Sequence, residues 1–163
     1  MPKNTFYSLC DEKKHRIVDA ALEEFSVRTF SQASLNQIIK NAGIPKGSFY
    51  QYFENKEDLY IHLVQKASEV SKRLLDGVYE KNPDADAFEV TIRTAELSYG
   101  TTDIDPRYTS MAMLAILDES NFISEIRRKG ASERRNVEMF ERDKERGLIK
   151  PDVDTEIVAN LIS

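Results

Sequence analysis

The chain lacks most of the features that would give it a covalent framework, a membrane anchor or an obvious catalytic motif. Cys10 is its single cysteine, which excludes an internal disulfide and fits a reducing compartment. The longest apolar run, Met111 to Leu117, has seven residues, far short of the about 20 that a membrane-spanning helix needs. The opening MPKNTFYSL has no apolar core of the kind a signal peptide carries. A cytoplasmic protein with no membrane partner is therefore expected. Alternating apolar and polar stretches are missing, as are Val/Ile/Thr-rich runs bounded by turns, so strands are not expected. A glycine-rich phosphate loop, a nucleophile elbow and an HExxH motif are absent too. His15 and His62 have no Cys, His or Asp partners at metal spacing. The pairs Asp84/Asp86 and Asp103/Asp105 read as solvated loop residues. No catalytic residue, cofactor or metal is expected.

What is present is charge, unevenly spread. The chain of 163 residues carries a net −5, which argues against a wholly basic polyanion binder. Residues 1–56 nevertheless hold eight Lys/Arg against six Asp/Glu, whereas residues 57–163 hold fifteen against twenty-two. The asymmetry suggests that only the N-terminal third meets a polyanion.

Helical spacing recurs along the whole chain. Ile17, Ala21 and Phe25, with Val18 and Leu22, form one stripe on a helix from about Asp11 to Arg28. Ser34 and Gln37 make a capping box for the next helix, with Ala33 and Ile38 in staple positions. Gly43 ends that helix, since the position after a helix favours positive φ. A short third helix, about residues 45–53, starts near Pro45, which a first turn tolerates. Asn55, with Asp58 three residues on, caps a fourth helix running to about Asp76 and burying Leu59, Leu63 and Val70. Further helices follow. One carries Phe88, Ile92, Ala95 and Tyr99, and a second Tyr108, Met111, Ala112 and Ala115. A long charged helix from Phe122 to Arg146 is interrupted by Gly130 and closed by Gly147. A last helix begins near Asp154. The chain reads as all-α, with seven to eight helices.

Residues 42–60, AGIPKGSFYQYFENKEDLY, crowd aromatics among polar residues. Three helices in about 45 residues, the last two short and joined by a glycine turn, describe a helix-turn-helix unit of homeodomain-like kind. On the third helix Phe49 and Phe53 share one face and anchor it, while Gln51 lies about 200° from Phe49 and points outward. Lys46 and Ser48 sit where unpaired N–H groups favour phosphate. Gly47 lets the backbone come close to another surface. Tyr50 and Tyr52 flank the core face and can offer a hydroxyl.

The stretch SLNQIIKNAGIPKGSFYQYFENKEDL resembles the helix-turn-helix of the TetR family of bacterial repressors. That pattern is roughly T-x-x-x-I-A-x-x-A-G-V-S-x-G-x-L-Y-x-x-F-x-x-K-x-x-L. Ile38, Ala42, Gly43, Gly47, Tyr50, Phe53, Lys56 and Leu59 match in register, with Ser34 at the threonine and Phe49 at the leucine position. RIVDAALEEF resembles the family's first helix, and ERGLIKPDVDTEIVANLI the turn into its eighth. Thr29 departs from the pattern by standing where a glycine often follows the first helix. The chain also ends inside the eighth helix, before the ninth that usually serves the dimer interface.

The resemblance implies a DNA-binding domain over residues 1–56 and a helical ligand-binding and dimerisation domain over residues 57–163, cut short in its last helix. It implies that Tyr50, Lys56 and the helix start at Ser34 grip phosphates, and that Lys46, Gly47, Ser48, Gln51 and Tyr52 belong to the same DNA-facing surface. Gln can make bidentate bonds to adenine and Lys can read guanine acceptors. The implied partners are double-stranded DNA with a palindromic operator, a second copy of the chain and a small-molecule inducer. Phe88, Ile92, Tyr99, Tyr108, Met111 and Leu114 are candidate pocket residues, since aromatics and methionines suit an adaptable cavity; an ordinary helical core is the alternative reading. The apolar stripe Ile157, Val158, Leu161 and Ile162 is expected at the dimer interface. The expected function is a DNA-binding transcriptional regulator, a repressor released by its inducer. The other possibility is a helical small-molecule-binding protein or enzyme in which the N-terminal third is only scaffold.

Overall fold

The computed structural model describes residues 1–100, 105–128 and 131–161; within them the side chains of 98–100, 128, 131–134 and 160–161 are not described. Ten helices and no strand occur among the described residues. In chain order they are α1 (Asn4–Tyr7), α2 (Asp11–Phe25), α3 (Leu35–Asn41), α4 (Lys46–Tyr52) and α5 (Lys56–Lys81). There follow α6 (Ala87–Gly100), α7 (Pro106–Ile116), α8 (Asn121–Arg128), α9 (Ala131–Glu145) and α10 (Thr155–Leu161). The all-α expectation holds. The higher helix number has two sources: the N-terminal arm forms α1, and the long charged stretch is described as α8 and α9, with Gly130 itself outside the described residues.

The helices group into two compact units, one of Met1–Ala67 with Ile104–Ser124, the other of Ser68–Asp103 with Glu125–Ser163. This grouping by packing differs from the division by function expected at 56/57, because α7 and the start of α8 pack with the N-terminal helices.

In the first unit the expected stripe of α2 is core: Ile17, Val18, Ala21, Leu22 and Phe25 are all buried. Arg107 fastens α7 to α2, its guanidinium 2.6 Å from both Asp19 and Asp105. Phe122 lays its ring 4.5 Å from that of Phe30. Buried Asp118 accepts from the Ser31 amide (2.8 Å), the Ser31 hydroxyl (2.6 Å) and the Ser120 amide (2.9 Å). Burial pushes its carboxyl up, but the hydrogen bonds from Ser120 and Ser31 outweigh that and hold it well below the ordinary range. The Thr29 carbonyl accepts from the Gln32 and Ala33 amides. No described non-glycine residue has positive φ, so the turn at Thr29 does not need the glycine that the TetR pattern often places there.

The second unit has its own core, in which Leu75, Val78, Ala87, Val90, Met139, Phe140 and Ala159 are buried together. Asp143, 1% exposed, accepts the Ala87 amide at 2.5 Å and so starts α6. Arg142 and Arg146 hold the carbonyl of Ala85 at 2.9 and 3.2 Å. Asp154 caps α10 by accepting from the Glu156 and Ile157 amides.

Two helices close in the same way. Gly43 (φ 62°) and Gly147 (φ 74°) follow α3 and α9. The next amides, of Ile44 and Leu148, reach back five residues to Ile39 and Asp143, while the glycine amides bond to Lys40 and Lys144. Both are Schellman closures, which need the positive φ that glycine adopts without strain.

Candidate nucleic-acid interface

The capping box at Ser34 is half made. The Ser34 hydroxyl accepts the Gln37 amide at 3.3 Å, but Gln37 turns its own amide group to Asn41 (2.8 Å). The Ser34 amide instead donates to Glu24 at 2.8 Å. Glu24 is 3% exposed and also pairs with Arg28 at 2.8 Å. It fixes the start of α3 to the end of α2, a role for which an acid on an otherwise apolar helix face was the sequence signal. Asn55 caps α5 as expected, accepting the Asp58 amide at 2.9 Å, while Asp58 reaches back to the Glu54 amide.

α4 begins after Pro45, which is its N-cap. Phe49 and Phe53 are fully buried with their rings stacked 5.5 Å apart, the anchor that their spacing predicts. Tyr50 sets its ring edge on Phe49 at 5.4 Å and remains 43% exposed. Gln51, Lys46 and Gly47 are exposed and Ser48 half-buried. The structure thus gathers Lys46, Gly47, Ser48, Tyr50 and Gln51 on one two-turn helix whose other side is bolted to the core. A Cβ added at Gly47 would meet no atom within 4 Å, and its φ is not positive. Neither backbone geometry nor internal packing explains glycine there.

Two residues expected on the DNA-facing surface, Tyr52 and Lys56, are engaged with the rest of the unit, and Tyr52 is buried. Tyr52 is 6% exposed, its ring in the core beneath the Lys13 ammonium at 5.4 Å. At about 100° per residue, residue 52 lies about 60° to one side of Phe49, near enough to the core face for its ring to turn inward. The Lys56 ammonium donates to the carbonyls of Phe30 (2.7 Å) and Ala33 (2.9 Å) and lies 4.4 Å from the Phe30 ring centroid. Burial lowers its pKa, partly offset by Glu57, Asp118 and Glu24. Two of its three donors are engaged in tying down the turn before α3, so Lys56 serves as a structural clamp. His62, read from sequence as ordinary, is buried with its Nε2 unpartnered among the described residues. Burial, then Lys66, lowers its pKa to about 4.

The candidate pocket residues divide between the units. Met111 is buried, and Tyr108 and Leu114 are half-buried on α7; burial raises the Tyr108 phenol. In the second unit Ala87 and Val90 take the core face of α6, leaving Phe88 53% and Ile92 59% exposed. The plain-core alternative therefore fails for those two. The Tyr99 side chain is outside the described residues. Of the expected interface stripe, Ile157 is 60% exposed and Val158 packs on the second core; the Leu161 side chain and Ile162 are not described.

Comparison with known proteins places this geometry. Residues 17–63 match the family model of bacterial regulatory proteins, tetR family. The HTH-type transcriptional regulator YdgC of Bacillus subtilis (strain 168) is 35% identical over 71 residues, covering 44% of this chain and 36% of that protein. Against this protein and two further curated relatives, the chain spans about a third of the relative's length. Among solved structures, a TetR family transcriptional regulator from Chloroflexus aurantiacus J-10-fl superposes with a TM-score of 0.64 at 29% identity, covering 99% of this chain and 75% of that one. The regulator FadR from Bacillus subtilis, in complex with stearoyl-CoA, shares the fold (TM-score 0.67, 24% identity, 90% and 79% covered). Residues 17–63 are thus a helix-turn-helix segment of the tetR family kind, and the described fold is similar to that of TetR family regulators.

Proposed function

We propose that this protein is a DNA-binding transcriptional regulator, a repressor that binds a palindromic duplex as a homodimer and is released by a small-molecule inducer. The observation that carries the proposal is the outward face of α4. Lys46, Gly47, Ser48, Tyr50 and Gln51 stand on a helix fixed from behind by Phe49 and Phe53, and Gly47 has no internal reason to be glycine. A glycine in the first turn of a helix, open to solvent, suits a surface that another molecule's backbone must approach. Gln51 and Lys46 then read base edges in the major groove, and Tyr50 and the start of α3 at Ser34 fix register on phosphates.

The division of roles is DNA recognition by residues 1–56 and ligand binding and dimerisation by residues 57–163. A seven-residue recognition helix reads only a few base pairs. A two-fold pair places two such helices about 34–36 Å apart, or a multiple of that, along the duplex. Among the residues expected to meet the inducer, Tyr108, Met111 and Leu114 combine apolar surface with a phenol as polar handle. FadR's complex with stearoyl-CoA supports an inducer with a large apolar part. The test is selection of binding sequences from a random duplex pool. Enrichment of an inverted repeat bound in a salt-dependent way is expected; a pool that stays random would overturn the proposal.

A further inference from the structure

An α-helix leaves its last carbonyls without intrahelical donors. In α3 and α9 a positive-φ glycine solves this; α4 has none. It stops because Phe53 turns extended (φ −131°, ψ 151°), donating its own amide to Phe49 at 2.9 Å. The three carbonyls beyond are all taken by the N-terminal arm. The Lys3 ammonium donates to the Tyr50 carbonyl at 2.8 Å. The Thr5 hydroxyl donates to the Gln51 carbonyl, and the Lys3 amide to the Tyr52 carbonyl at 2.8 Å. The arm is itself pinned on both sides of these contacts. Pro2 is buried; Phe6 is 2% exposed, its ring 4.8 Å from Phe53 and 5.2 Å from His62.

We propose that Lys3 and Thr5 are positioning residues for DNA recognition: the arm substitutes for a C-cap and sets the last turn of α4, from which the Tyr50 and Gln51 side chains project. The inference rests on the reading of α4 as the DNA-reading helix. The chemistry suits the task. The two carbonyls held by side chains belong to Tyr50 and Gln51, and a cation at the C-terminal end of a helix complements its dipole. Without the arm, this turn would have to satisfy its carbonyls from water and would fray, since a two-turn helix has little cooperativity of its own. Phe49 and Phe53 would keep the helix attached; what would be lost is the fixed direction of the residues between them.

The test uses the full chain with Thr5→Val, which keeps shape and charge, Lys3→Met, which keeps length, their combination, and Lys3→Arg as the conservative control. Lys3 and Thr5 are exposed, so none of these variants removes buried carbon. Two readouts are taken. Hydrogen exchange is followed at the amides of 50–53 against those of α2 and α5. Affinity is measured for a duplex selected by the unmodified chain and for its scrambled counterpart. The double variant is expected to exchange about tenfold faster at 50–53 alone, as for loss of one or two net hydrogen bonds. The ratio of selected to scrambled affinity should fall by a similar factor in the double variant, whereas Lys3→Arg alone should keep most of it. The salt slope should not change with Lys3→Met, whereas a lysine that neutralises a phosphate would lower it by about one. Unchanged exchange at 50–53 would overturn the capping role. Faster exchange with an intact affinity ratio would overturn the positioning role, and so would a slope that falls with Lys3→Met. If the unmodified chain selects no sequence at all, the DNA reading fails first, and the inference with it.

Discussion

Gly47→Ala separates stability from function more sharply than any other substitution in α4. The added methyl meets no atom within 4 Å, and the φ at position 47 is not positive, so the folded state accepts it without strain. Alanine is favoured over glycine inside a helix by about 0.5–1 kcal/mol, mostly because the unfolded chain has less freedom to lose. The position is in the first turn, so the lower part of that range applies, and the variant should melt slightly above the parent. If DNA backbone packs against this face, the methyl meets it, and overpacking typically costs about 1–3 kcal/mol. That is roughly a fivefold to 150-fold loss of affinity per contact. Thermal melting by circular dichroism, beside binding to a selected duplex, tests both halves. A variant that is more stable but binds more weakly supports the account. If it binds as tightly as the parent, the close approach at Gly47 is refuted. A destabilised variant would show that the open space around its Cβ has been misjudged.

Phe53→Ala empties a fully buried site that contacts Phe6, Phe49 and His62; chemical denaturation should show a loss of about 3–5 kcal/mol. Tyr50→Phe and Gln51→Ala should leave stability nearly intact and fail differently in binding assays. Loss of the Tyr50 hydroxyl should weaken every duplex by a similar factor. Loss of the Gln51 amide should relax preference at one position per half-site by about 1–3 kcal/mol; an unaltered preference would move the reading face elsewhere. His62 sets a pH dependence of stability. Its folded pKa of about 4 lies below the ordinary 6.5, so between those values the unfolded chain binds a proton that the folded chain does not. Stability should therefore rise with pH across about 4 to 6.5, by at most about 1.4 kcal/mol per unit, and be complete above it. His62→Leu should flatten that slope in denaturation series at pH 5 and pH 7. Asp118, whose carboxyl is held low, adds stability present above about 3.8 and lost only as pH falls further, so it does not blur the His62 window.

Local rules made the helix-turn-helix legible in the sequence. The Phe49/Phe53 spacing, the Ser34 and Asn55 caps and the positive φ of Gly43 depend on neighbours within five residues, and each is found where expected. Contacts across longer separations were not legible. Nothing local tells that Lys56 folds back on the carbonyls of Phe30 and Ala33, and the acid on the apolar face of α2 does not reveal that its partner is the Ser34 amide. The arm was unreadable for the same reason, since its use lies about 47 residues away at Tyr50. Tyr52 shows the limit of angular reasoning: it flanks the anchor and could turn either way until the Lys13 side chain is placed over it. On α6 the aromatic stripe beginning at Phe88 is the more conspicuous apolar pattern, yet the smaller Ala87 and Val90 face the core. Small residues allow closer helix packing there, and sequence periodicity does not weigh them.

The most direct test of the central claim is the salt dependence of binding to a selected duplex. If each subunit of a dimer neutralises about three phosphates, about six counterions are released, and log affinity should fall against log salt with a slope near −5. The acidic region beyond residue 56 should keep binding to scrambled duplex weak across the same range. A slope close to −5, with selected duplex preferred over scrambled at every salt concentration, is the predicted result. A slope indistinguishable from zero would contradict the assignment of α4 and its neighbours as a DNA-binding surface.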